Sequence, residues 1–282
     1  GLESNRDALM EVRNLILLGC GTSYHSAMWS LDIFKNLDIF DTVLAYDAAE
    51  FTQKDIPKSN TKTAVIFISQ SGETADLRKC LEFVNEINIM KIGVVNVPDS
   101  TIARETECGV YLNCGREVSV ASTKSFTNQC VVLAMIAVWF SQNRQTCNEK
   151  RRQIIKDLLI LPYQIEDILD RLRENTSMEL IQTYIEKISN TNSLFILGNG
   201  SNKAIAMEVA LKIKETTYKH AEAFSVLSLK HGPYALITND IPIILLDTDE
   251  SNRTIYRNAY EEINARGAYA IMLSKHIDIE NR

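Results

Sequence analysis

Val65-Ile66-Phe67-Ile68-Ser69-Gln70-Ser71-Gly72-Glu73-Thr74 is the stretch that decides how this chain folds. A β-branched apolar run breaks abruptly into hydroxyls, an amide and a glycine, and an amphipathic pattern follows. That order is a strand, a tight turn and a helix N-terminus. Free backbone N–H groups and the positive end of a helix dipole converge at such a turn, and Ser69, Ser71 and Thr74 add hydroxyl donors. The combination suits a dianion such as a phosphate monoester. It holds no lysine and no Walker pattern, which turns the reading away from nucleoside triphosphates. Taken alone, one such turn reads as a serine-capped helix start with no ligand.

An internal repeat changes the odds. Residues 14–28 (Asn-Leu-Ile-Leu-Leu-Gly-Cys-Gly-Thr-Ser-Tyr-His-Ser-Ala-Met) resemble residues 193–207 (Ser-Leu-Phe-Ile-Leu-Gly-Asn-Gly-Ser-Asn-Lys-Ala-Ile-Ala-Met). Each reads as a strand, a Gly-x-Gly turn and a helix opening on small and hydroxyl residues. Residues 63–68 correspond to 240–245, and 91–95 to 268–273. Strands alternating with helices predict parallel sheets built from βαβ units, and two copies predict two similar α/β domains. The copies differ after the third strand. The second carries Leu246-Asp247-Thr248-Asp249-Glu250-Ser251 where the first has its hydroxyl turn, and these carboxylates repel phosphate. Only the first domain is expected to grip the anion. Thr22 and Ser23, after Gly19 and Gly21, are expected at the same carboxyl edge of the sheet, where open parallel sheets bind ligands.

Composition bounds the alternatives. With 282 residues, 45% hydrophobic and 23% charged, the chain has the makeup of an ordinary globular protein with ample core. A net charge of −6 offers no general attraction to nucleic acid or anionic membrane. The six cysteines form no C-x-x-C pair, so neither a zinc site nor a disulfide framework is expected, and a cytoplasmic location fits. No apolar run is long enough to span a membrane, and no signal peptide leads the chain. Gly1 has no initiator methionine before it, so the chain is expected to be a fragment of a longer protein.

Residues 148–190 read as mostly helical. Ile154, Ile155, Leu158 and Leu159 form one apolar stripe and Ile165, Ile168 and Leu172 another, with Pro162 expected to separate two segments. The expected organisation is a first, phosphate-binding α/β domain over 1–145, a helical connector over 146–190 and a second α/β domain over 191–282.

Two further stretches carry candidate chemistry. In Met207-Glu-Val-Ala-Leu-Lys-Ile-Lys-Glu-Thr-Thr-Tyr218, Glu208 and Lys212 stand at i,i+4 and Lys212 and Glu215 at i,i+3, so all three share one helix face. This is either an exposed ion-paired stripe or a lysine that attacks a carbonyl beside carboxylates that move protons. Lys214 reads as a surface residue. In Leu229-Lys-His-Gly-Pro233, His231 sits in a constrained turn, whereas His25, His220 and His276 read as structural or surface residues.

At these residues the chain resembles the isomerase half of the glutamine–fructose-6-phosphate amidotransferase family, built of two tandem sugar isomerase (SIS) domains. The resemblance rests on Cys20-Gly-Thr-Ser-Tyr24, Ser69-Gln-Ser-Gly-Glu-Thr-Ala-Asp76, Arg104-Glu-Thr106, Val120-Ala-Ser-Thr-Lys124, Ala210-Leu-Lys-Ile-Lys-Glu215 and Leu229-Lys-His-Gly-Pro233, in that order and nearly end to end. It implies an α/β fold of two SIS-type domains, each a parallel sheet flanked by helices. It implies that Ser69, Gln70, Ser71 and Thr74 hold a sugar phosphate, with Thr22, Ser23, Val120 and Ser122 lining the sugar. It implies that Lys212 forms an imine with fructose 6-phosphate, that Glu215 shuttles a proton between C1 and C2 with Glu208 nearby, and that His231 opens the sugar ring from a second subunit. Lys124 and Lys230 read as structural or electrostatic. A homodimer with shared sites, glucosamine 6-phosphate as product for hexosamine and UDP-N-acetylglucosamine synthesis, an N-terminal glutaminase domain in the full protein, and no metal or organic cofactor complete the implication.

The sequence departs from the family pattern at Leu227-Ser228, where Gly-Glu is usual, and at Asn199, where arginine is usual. A C-terminal tail that contributes a lysine is expected to be missing. Ser228 and residues 221–224 leave open a deglycase or deaminase of an aminated fructose phosphate. A non-enzymatic sugar-phosphate sensor is the other alternative, against which Glu208, Lys212, Glu215 and His231 count.

Overall fold

Residues 15–18 and 64–68 are apolar at every position, and all of them are buried. In a parallel sheet covered by helices on both faces, successive side chains alternate between two cores, so no position in the run faces water. The structure, a computed structural model, describes residues 1–58, 61–87, 89–173 and 175–275, the side chains of 175–178 and 180 excepted. The chain divides into two compact units, one up to Leu159 and one from Ile160 onward.

In the first unit α1 (Arg6–Met10), β1 (Val12–Gly19), α2 (Thr22–Asn36), β2 (Thr42–Asp47), β3 (Lys62–Ser69), α3 (Ala75–Glu86), β4 (Met90–Val95), α4 (Thr101–Glu105), β5 (Cys108–Tyr111) and α5 (Lys124–Arg144) follow in order. The strands form one parallel sheet in the order β2-β1-β3-β4-β5. Leu15, Leu17, Ile66 and Ile68 pack in one core with Phe34 of α2 and Leu133 and Phe140 of α5. Ile16, Leu18, Val65 and Phe67 pack in the other with Leu77, Leu81 and Val84 of α3. The order reverses between β1 and β3, so their crossovers leave in opposite directions. The carboxyl ends of these two strands therefore open into a crevice, the place where such sheets take ligands.

Helix α6 (Asn148–Arg173) runs through the division between the units, and α7 (Asn175–Ser189) follows it. The expectation that Pro162 separates two helical segments is corrected: Pro162 lies inside α6. Proline removes one hydrogen bond, to the carbonyl four residues back, but α6 has no buried residue, so water can take the freed carbonyl.

The second unit continues with β6 (Ser193–Gly198), α8 (Ser201–Thr217), β7 (His220–Ser225), β8 (Ile243–Asp247), α9 (Arg253–Ala265) and β9 (Ala270–Ser274). These strands form a parallel sheet in the order β7-β6-β8-β9. Its architecture repeats the first four strands of the other sheet, including the reversal between β6 and β8. Strand β8 starts later than residue 240 because Pro242 has no N–H to donate to a ladder. Phe195, Leu197 and Leu245 join Tyr256 and Ile263 of α9 in one core, and Leu194, Ile196 and Leu246 join Ala206 and Ala210 of α8 in another. No helix among the described residues is long and apolar enough to cross a membrane.

Candidate active site

The hydroxyl turn closes on itself before any ligand arrives. Ser69 Oγ accepts the Gly72 N–H at 2.9 Å and lies 2.9 Å from Thr74 Oγ1, while Ser71 Oγ accepts the Glu73 N–H at 3.1 Å. Two of the backbone donors at this turn are therefore taken by its own serines. The Ser71 hydroxyl hydrogen remains available, as do the N–H groups of the first turn of α3, which have no intrahelical acceptor. Thr74 is the residue before that helix, and Gln70 and Ser71 are half-buried beside it.

Gly72 has a φ of +68°, and a Cβ there would sit 1.9 Å from Ser100 Oγ. Only glycine lets the turn lie against the start of α4. Glu73 locks that contact from outside: its carboxylate accepts the Thr101 N–H at 2.7 Å and the Thr101 hydroxyl at 2.8 Å. These bonds hold the Glu73 carboxyl below its usual range.

Across the crevice, Gly19 lets β1 meet α2, because a Cβ on it would lie 2.5 Å from the Ser23 backbone. Thr22 and Ser23 open α2. Beside them, burial first and then the charges of Asp47 and Asp76 push the Cys20 thiol up to about 11, so it stays protonated. Ser23 is buried, and Gln129 of α5 donates to its hydroxyl at 2.9 Å. The loop before α5 carries the other two sugar-lining candidates. Val120 is 93% exposed, whereas Ser122 contacts Ser125 and donates to Glu117 at 3.4 Å. Glu117 also accepts the Ser125 N–H at 2.9 Å and the Ser125 hydroxyl at 2.6 Å. Desolvation works to raise this carboxyl, but the bonds from Ser125, Thr123 and Lys124 outweigh it and hold Glu117 at about 2. Lys124 donates to the Arg116 carbonyl at 2.7 Å.

The matching edge of the second sheet is chemically different. Asp249 accepts the Ser251 N–H at 3.0 Å, and Asp247 is buried with one oxygen on Ser274. Carboxylates stand where the first domain has hydroxyls. Asn199, in place of the family's arginine, is tied to Tyr256, Asn252 and Ser225.

Helix α8 brings its three ionisable candidates together. Lys212 Nζ lies 2.7 Å from Glu215 Oε2 and 3.4 Å from Glu208 Oε1. The lysine side chain is 20% exposed, Glu215 25% and Glu208 6%. An ordinary surface stripe leaves such groups in water; here the face is largely covered. Glu215 is placed to take a proton from the Lys212 ammonium, leaving an amine able to attack a carbonyl. Among the described residues, no hydrogen bond or ion pair joins His231 to this group; it is exposed at the end of the 3-10 turn Leu227–His231. His25 is buried in α2, and exposed His220 contacts the Ser193 hydroxyl at 2.9 Å through Nδ1. His276 lies outside the described residues.

The sequence reading did not anticipate Gln129 or Glu117. Each left a faint signal: Gln129 interrupts the apolar face of α5, and Glu117 is an acid just ahead of a helix start.

The SIS domain family matches residues 8–139 and 187–278. The probable glutamine–fructose-6-phosphate aminotransferase (isomerizing) of Schizosaccharomyces pombe is 38% identical over 274 residues, 97% of this chain and 38% of that protein. A probable enzyme of the same name from Acanthamoeba polyphaga mimivirus is 40% identical over 266 residues, 94% of this chain and 43% of that protein. The chain thus spans about two fifths of the length of the curated relatives it matches. Among solved structures, the C-terminal domain of glucosamine-fructose-6-phosphate aminotransferase from Francisella tularensis superposes with a TM-score of 0.86 at 29% identity, covering 97% of this chain and 76% of that one.

Proposed function

The chain belongs to the SIS domain family, and on that premise we propose that it is the sugar-isomerising part of a glutamine–fructose-6-phosphate aminotransferase. It takes fructose 6-phosphate and ammonia released from glutamine elsewhere in the full protein, and yields glucosamine 6-phosphate for amino-sugar synthesis. One observation carries the reading: Lys212 is held between Glu208 and Glu215 on a largely covered helix face.

In this reading the phosphate sits against Ser69, Gln70, Ser71 and Thr74. Thr22, Ser23, Val120 and Ser122 line the sugar. His231, supplied by a second copy of the chain, moves the proton that opens the ring. Lys212 passes a proton to Glu215 and adds to the C2 carbonyl; Glu215 returns that proton to the departing oxygen, so that water leaves as the imine forms and Glu215 is again a carboxylate. Ammonia adds to the imine carbon and displaces the Lys212 amine, so that C2 carries nitrogen from ammonia; this imine acidifies the C1 hydrogens, and Glu215 takes one and returns a proton to C2. Binding energy from the remote phosphate orients the reacting end. The protein works in the cytoplasm as a homodimer, preceded by a glutaminase domain.

Borohydride trapping tests the assignment. Reduction in the presence of fructose 6-phosphate fixes a sugar on Lys212, read by peptide mass spectrometry. Glu215→Gln slows adduct formation, since Glu208 is then the carboxylate left beside Lys212 to take its proton, and loses exchange of the C1 proton with deuterated solvent, since an amide is no base. Absence of an adduct, or wild-type exchange in Glu215→Gln, removes the roles given to these residues and favours a sugar-phosphate sensor.

A further inference from the structure

The His231 side chain makes no hydrogen bond among the described residues, yet the residues on either side of it are tied to one carboxylate. Glu262, on α9, accepts the Lys230 ammonium on Oε1 at 2.6 Å and the Tyr234 hydroxyl on Oε2 at 2.5 Å. Lys230 directly precedes the histidine, and Tyr234 stands three positions after it. Arg266, one helical turn beyond Glu262, lies over the Tyr234 ring at 4.6 Å. Leu229 is buried and anchors the turn from beneath. Between the two tethers, His231 and Gly232 are exposed, and Gly232 has a φ of +136°.

An isolated lysine–glutamate pair on a surface contributes little and fixes nothing. This arrangement differs in that each oxygen of one carboxylate serves one flank of the same short turn. Swinging the histidine backbone requires breaking a tether on one side or the other. Burial, followed by the bond to Glu262, pushes the Tyr234 hydroxyl up to about 12, so it remains a donor throughout the working pH range.

We propose that Glu262 is a positioning residue that holds the turn Lys230-His231-Gly232-Pro233-Tyr234, and with it the His231 imidazole, in the geometry needed to open the sugar ring. This rests on the ring-opening role given to His231 above. Glu262 touches no reacting atom; it acts through the backbone of the turn.

The test separates ring opening from everything after it. 5-Deoxyfructose 6-phosphate keeps the phosphate and the chain length but lacks the hydroxyl that closes the ring on C2, so it needs no opening. In the intact protein, Glu262→Ala is expected to slow conversion of fructose 6-phosphate to its aldose roughly tenfold to a hundredfold while changing the deoxy substrate by less than about twofold. Glu262→Gln, which still accepts one tether, should recover part of the loss. Alanine is a good helix former at this half-exposed position, so α9 should persist. Equal losses on both substrates would mean a structural effect alone, and no loss on either would mean an idle surface pair; each overturns the proposal. His231→Asn, run in parallel, tells the two levels apart. If it discriminates between the substrates and Glu262→Ala does not, only the role of Glu262 falls. If His231→Asn does not discriminate, the ring-opening reading falls and Glu262 falls with it.

Discussion

Gln129 donates its side-chain amide to the hydroxyl of Ser23 at 2.9 Å, across 106 positions of sequence, and both residues are buried. The bond sets the rotamer of a serine in the first turn of α2 from α5, which packs against α2 in the same core. Gln129 Oε1 has no partner among the described residues. Gln129→Met therefore removes one buried bond and one unpartnered carbonyl together, at nearly constant volume. Denaturant titration should find stability within about 1 kcal/mol of wild type. The KM for fructose 6-phosphate should rise severalfold, because Ser23 is free to turn away. A large stability loss with unchanged KM would make Gln129 a core residue only.

The two serines of the hydroxyl turn should separate by role. Ser71 is half-buried and its side chain makes one hydrogen bond among the described residues, so Ser71→Ala should fold as wild type and weaken fructose 6-phosphate binding by ~1.5–3 kcal/mol, the worth of a hydrogen bond to a charged group. Ser69 is buried and holds both Gly72 and Thr74, so Ser69→Ala should in addition lower the melting temperature. Calorimetric titration and thermal unfolding together read both effects. Undiminished affinity in folded Ser71→Ala would place the phosphate elsewhere.

Glu117 gives the loop before α5 an acid-sensitive latch. Its folded value, about 2, lies below the ordinary 4.5 of a glutamate. A carboxyl depressed by folding adds stability that is fully present above the unfolded value and is lost as pH falls through the folded one. The contribution should therefore fade between 4.5 and about 2. Thermal unfolding of wild type and Glu117→Gln across that range checks this: the gap between them should shrink as pH drops. A constant gap would mean that the charge of Glu117 does not stabilise the loop.

Much of the architecture was legible because its cause is local. Residues 64–68 are apolar without alternation, which identifies a strand buried on both faces, and the hydroxyl turn after them identifies a helix start at the ligand-binding edge. The i,i+3 and i,i+4 spacing of Glu208, Lys212 and Glu215 placed them together once α8 formed. The spacing did not reveal whether that face was wet, and this decides between an ion-paired stripe and a reactive lysine. Pro162 misled because its local penalty was weighed without knowing that water could reach the freed carbonyl.

Sequence by itself determined the period of each element, the repeat of two parallel sheets, and the contrast between hydroxyls at 69–74 and carboxylates at 247–251, because all of these are fixed by neighbours along the chain. Tertiary structure alone decided that Gln129 meets Ser23, that Glu117 gathers Ser122 and Ser125, and that Glu262 ties both flanks of His231. Glutamates and glutamines are common on helices, and nothing in their own segments says which hydroxyl or ammonium they will face. That is set by how α5 crosses α2 and where α9 lies beside its turn, and those placements follow from packing the apolar faces of helices distant in sequence onto one sheet.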